Sequence, residues 1–67
     1  MELLVNGKQI VVDSQIQTVK DLLHFYNFQN RIVIVEVNEH ILQQSDHGQY
    51  HLNDSDKVEI VSFVGGG

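Results

Sequence analysis

Gly65, Gly66 and Gly67 close the chain directly behind the apolar run Val58-Glu59-Ile60-Val61-Ser62-Phe63-Val64, and they offer one reactive group, the terminal carboxylate. Residues without a Cβ pass through channels too narrow for any side chain, so such an ending can deliver its carboxylate into another protein's active site. The competing reading is an inert glycine-rich terminus, because chain ends are where disorder concentrates. Four histidines, His24, His40, His47 and His51, raise the question of a metal, the last two being four residues apart as on a zinc-binding helix. Gly48 and polar surroundings oppose that helix, there is no cysteine, and no carboxylates stand at ligand spacing, so solvated histidines and no metal are expected. Asp54 and Asp56 could pair for acid–base work, but alternate acids in a polar turn ordinarily cap backbone amides or face water. No serine–histidine–aspartate order, phosphate loop or dinucleotide fingerprint is present, which argues against a free-standing enzyme.

The body that must hold this terminus is small. Sixty-seven residues make one domain near the lower size limit for an unstapled core. Hydrophobic residues at 42% and charged residues at 19% are ordinary globular values. Four scattered basic residues face nine acidic ones for a formal charge of −5, which disfavours nucleic acid and would steer the chain toward a basic protein surface. The lack of cysteine suits the cytoplasm. No run approaches the roughly 20 apolar residues of a membrane span and no basic leader precedes a long apolar stretch, so no membrane partner is expected.

The elements follow from local chemistry. Leu3-Leu4-Val5 and Gln9-Ile10-Val11-Val12 flank Asn6-Gly7, the dipeptide best suited to a two-residue hairpin turn. Alternation places Met1, Leu3, Val5, Ile10 and Val12 on one face and Leu4 and Val11 on the other. Thr18 and Asp21 form a capping-box-like helix start with Asp in place of the usual Glu or Gln, and Val19, Leu22, Leu23 and Tyr26 make one apolar stripe ending near Asn27. Ile32 to Val37, apolar at nearly every position, predicts a central or near-central strand covered on both faces, or part of one. Asn38-Glu39-His40 turns into a short strand at Ile41-Leu42, Gln43 to Asn53 reads as polar loop, and the last strand begins at Lys57. In that strand Val58 and Ile60 share the inner face, while Glu59, Val61 and Phe63 face solvent. The sum is an α+β domain, one helix packed on one face of a small mixed sheet.

In the order of its landmarks the chain resembles the ThiS-type sulfur carrier proteins of thiamine biosynthesis, which have the ubiquitin-like β-grasp fold. The landmarks are Leu4-Val5-Asn6-Gly7, Thr18-Val19-Lys20-Asp21-Leu22-Leu23, Val33 to Asn38, Leu52 to Asp56, and Val58 to Gly67. Two features depart from the pattern. Asp54-Ser55-Asp56 stands where members usually read Asp-Gly-Asp, and Gln43 to Tyr50 lacks the basic residue often found after the short fourth strand.

The resemblance implies a β-grasp domain over residues 1–64 and a flexible glycine tail over 65–67. A ThiF-like enzyme would use ATP to adenylate the carboxylate of Gly67, a sulfur donor fed by a cysteine desulfurase would convert it to a thiocarboxylate, and a ThiG-like thiazole synthase would take the sulfur. Gly65 and Gly66 would thread the partner sites. The chain would bind no cofactor of its own. Leu4, Ile34, Val61 and Phe63 are expected to form a docking surface on the sheet face that the helix leaves open, close to the tail. Three alternatives stay open: a carrier like the small subunit of molybdopterin synthase, a ubiquitin-like modifier of lysines, and a plain β-grasp binding module.

Overall fold

The computed structural model describes residues 1–63. Its elements are β1 (Glu2–Val5), β2 (Lys8–Val11), α1 (Val19–Phe25), β3 (Ile32–Val37), β4 (His40–Ile41), a 3-10 turn (Gln44–Asp46) and β5 (Lys57–Phe63). Asn6 and Gly7 both take positive φ, 51° and 80°, and close the β1–β2 hairpin with Val5 opposite Lys8. Both central residues at positive φ match the right-handed twist of the strands they join. The sequence predicted this hairpin, and its inward and outward faces follow: Leu3, Val5 and Val12 are buried and Val11 is exposed.

Thr18 caps α1 reciprocally with Asp21. The Asp21 N–H donates to Thr18 Oγ1 at 3.2 Å, and the Thr18 N–H donates to Asp21 Oδ2 at 3.0 Å. The shorter Asp side chain thus completes the box that Glu or Gln usually makes. The far end stops in a left-handed residue, Asn27 at φ 62°, with Phe28 N–H donating to the Leu23 carbonyl and Asn27 N–H to the His24 carbonyl. This pair of bonds uses up carbonyls that a helix end would otherwise leave unpaired. Val19, Leu22 and Leu23 are buried, as the stripe requires, and Tyr26 stacks on Phe28 at 5.8 Å beyond the cap.

The five strands lie in the order β2-β1-β5-β3-β4, with β1 parallel to β5 and the other neighbours antiparallel. One helix against one face of such a mixed sheet is the β-grasp arrangement, and it buries Leu3, Val5, Val35, Val37, Val58 and Ile60 against α1. β5 occupies the centre and β3 stands beside it.

Three expectations need correction. β3 is covered on one face only: Val35 and Val37 are fully buried, whereas Ile32 and Ile34 are 69% and 43% exposed, because the single helix leaves the other side of the sheet bare. The short fourth strand is His40–Ile41, not Ile41-Leu42, since Asn38 and Glu39 at φ 50° and 71° form a second two-residue turn that starts the return earlier. The stretch from Gln43 to Asn53 is not simply loop. It contains the 3-10 turn and drops His47 and Leu52 into the core beneath α1, where Leu52 N–H donates to the Gln17 carbonyl and Lys20 N–H to the His47 carbonyl.

Candidate functional site

β5 is the strand that precedes the glycine terminus in the sequence, so its anchoring bears on the candidate site. β1 pairs with β5 only at Leu4–Lys57 and Val5–Val58 before its chain turns away at Asn6. The Asn6 side chain then continues the sheet in place of a backbone. Its Nδ2 donates to the Ile60 carbonyl at 3.2 Å, and the Ile60 N–H donates to its Oδ1 at 2.7 Å. An amide side chain carries both a donor and an acceptor and so mimics one peptide unit. Asn38, in the second turn, does related work at the start of β5: its Oδ1 accepts from Lys57 N–H at 3.0 Å and its Nδ2 donates to Asp56 Oδ1 at 2.9 Å. Sequence reasoning treated both asparagines as turn residues and missed this second use. Their short amides at positive φ were the available signal.

Asp54 and Asp56 cap backbone amides, as expected of alternate acids in a turn. Asp54 Oδ1 accepts from Glu2 N–H at 2.7 Å, and Asp56 Oδ2 accepts from Asn53 N–H at 2.8 Å. Between them Ser55 sits at φ 72°, the left-handed conformation that glycine adopts without strain. The serine therefore leaves the turn in that conformation and adds steric cost.

Of the expected docking residues, Ile34, Val61 and Phe63 lie on the open face and are 43%, 54% and 49% exposed. The ladder places Val61 opposite Ile34 and Phe63 opposite Ile32, so Ile32 completes an apolar tetrad that the sequence reading did not assemble. Leu4 shares the face but not the neighbourhood. It pairs with Lys57, four strand residues before Val61, or about 13 Å at 3.3 Å per residue, so its expected position close to the tail is corrected. Gly65, Gly66 and Gly67, and Val64 with them, lie outside the described residues.

The histidines separate. His24, His40 and His51 are exposed, as expected of solvated groups, but His47 is only 6% exposed and its Nε2 has no hydrogen-bond partner. Burial depresses its pKa below 6.5, opposed by the negative charge of Asp46. Among the described residues no three histidine, aspartate or glutamate side chains gather as a metal site, and no helix is long and apolar enough to cross a membrane.

A β-grasp domain whose central strand runs into a glycine terminus is a member of the ubiquitin-like class. Within that class the chain belongs to the ThiS family, whose model matches residues 1–67. Membership makes it a sulfur carrier of thiamine biosynthesis and not itself a catalyst. It is 43% identical over 65 residues to the sulfur carrier protein ThiS of Bacillus subtilis, covering 97% of this chain and 98% of that one. The crystal structure of the thiamine biosynthesis protein ThiS from Geobacter metallireducens superposes with a TM-score of 0.80 at 36% identity, over the whole of both chains. The chain is also 40% identical over 67 residues to a thiazole synthase of Paramagnetospirillum magneticum, of which the match takes up 20%.

Proposed function

We propose that the chain carries sulfur as a thiocarboxylate on Gly67, loaded by an ATP-using, ThiF-like adenylating enzyme and unloaded by a thiazole synthase. The observation that carries this reading is the bare apolar tetrad that β3 shares with β5, the strand that precedes the glycines in the sequence. A terminal carboxylate with a pKa of about 3.5 is anionic at neutral pH and a poor electrophile. Attack of its oxygen on the α-phosphorus of ATP expels pyrophosphate and leaves an acyl adenylate, from which a sulfur nucleophile displaces AMP. Cysteine desulfurase chemistry is the upstream source of that sulfur, and a supply of ATP is compatible with a cytoplasmic reaction. The chain's own contribution is geometric. The domain up to Val64 is gripped, residues 65–67 reach the partner's reacting centre, and the absence of cysteine removes an internal thiol that would capture the activated acyl group. The chain supplies no cofactor; ATP belongs to the partner.

The match to a fifth of a thiazole synthase supports that enzyme as the sulfur acceptor, since a segment like this chain is there part of the same polypeptide. Ile34, Val61 and Phe63, with Ile32, form the docking face; Leu4 extends it toward the far end. Incubation with ATP and the adenylating enzyme should add AMP to the chain by intact mass, and a sulfur donor should then replace one oxygen by sulfur. A chain that remains unadenylated with an enzyme active on its own carrier refutes the reading. Recovery of the chain only as covalent adducts on lysines would instead identify a modifier.

A further inference from the structure

On the open face, directly beside the apolar tetrad, Glu36 and Glu59 stand opposite each other in the β3–β5 ladder. Like charges directly opposite on one sheet face sit with Cβ atoms about 5 Å apart and repel. The surrounding register offers little relief. Glu36 has Ile41 on its other side, and β1 ends before reaching the level of Glu59. Among the described strand residues of this face the single cation is Lys57, two positions before Glu59 along β5 and diagonal to Glu36 across the ladder, so at most one cation is shared by two carboxylates. The free protein thus holds two like charges side by side on this face.

We propose that this pair is half of an intermolecular contact: the adenylating enzyme that seats on Ile32, Ile34, Val61 and Phe63 presents an arginine whose guanidinium bridges Glu36 and Glu59. This rests on the reading that partner proteins grip the open face, and it names the chemistry of the grip. A guanidinium offers five donors in a planar fork, can accept a carboxylate on each of two edges, and desolvates more readily than an ammonium. The apolar tetrad supplies area without direction. The acidic pair fixes the rotational setting of the carrier on its partner, so that β5 points its glycines at the reacting centre. Charge of this sign also speeds encounter with a basic surface.

The test measures binding of the full chain to the adenylating enzyme by calorimetry at low and high salt, for the wild type, E36Q/E59Q and F63D. The double glutamine variant should fold with unchanged or higher thermal stability, bind at least tenfold more weakly, and lose most of the salt dependence of its affinity. Binding by E36Q/E59Q within twofold of the wild type, alongside loss of binding by F63D, overturns the bridge and leaves the docking face standing. Wild-type binding by F63D defeats the docking face itself. Sedimentation showing that the wild type covers this face by self-association also overturns the proposal.

Discussion

Removing the Asn6 clamp should unfasten the half of β5 that precedes the glycine terminus. In Asn6→Gly the turn keeps its positive φ without strain, so the variant removes the two bonds to Ile60, at 2.7 and 3.2 Å, without distorting the turn. Each is worth about 1 kcal/mol net, and with both peptide groups of Ile60 part-buried the loss should reach about 2 kcal/mol. A chain of this length has about 7 kcal/mol to lose at 0.1 kcal/mol per residue, and each kcal/mol moves the melting temperature by about 4–8 °C. Thermal denaturation followed by circular dichroism should therefore fall by about 8–16 °C. Asn6→Asp retains the acceptor for the Ile60 N–H and should lie between Asn6→Gly and the wild type. Asn6→Ala adds the cost of a left-handed alanine, about 1 kcal/mol or more, and should lie below Asn6→Gly. Amide exchange at Ile60 should accelerate in all three. If Asn6→Gly melts within about 2 °C of the wild type, or Asn6→Asp is no better than Asn6→Gly, the side-chain amide is not holding the strand.

Ser55→Gly should stabilise the chain by up to about 1 kcal/mol in urea denaturation, because it removes a left-handed serine at φ 72°. Thr18→Ala should cost about 1 kcal/mol by the same assay through loss of the helix cap. Leu22→Ala empties a fully buried site between helix and sheet and should cost about 3 kcal/mol. His47 sets a pH dependence with a definite sign: its folded pKa lies below 6.5, so the unfolded chain binds the proton first and stability, intact above pH 6.5, declines as pH falls through the folded value. Stability measured from pH 7.5 to 5 should show that decline in the wild type and lose much of it in His47→Gln.

The sequence by itself determined what local forces settle. Asn6-Gly7 can hardly avoid a tight hairpin, Thr18 with Asp21 starts a helix wherever an apolar stripe follows, and the alternation from Lys57 to Phe63 assigns each residue of β5 to a face. The glycine terminus and the order of these signals carried the resemblance to the family. Only the tertiary structure decided which residues meet. A run of β-branched residues reads alike whether one face of the strand is covered or both, and it took the single helix, lying on one side, to leave Ile32 and Ile34 bare beside Phe63 and Val61. Strand register, set by pairings between residues far apart in the chain, moved Leu4 away from that cluster and brought Glu36 against Glu59. Burial of His47 has the same origin. A polar segment enters the core when the surface beneath a short helix needs filling, and no pattern within the segment records that need.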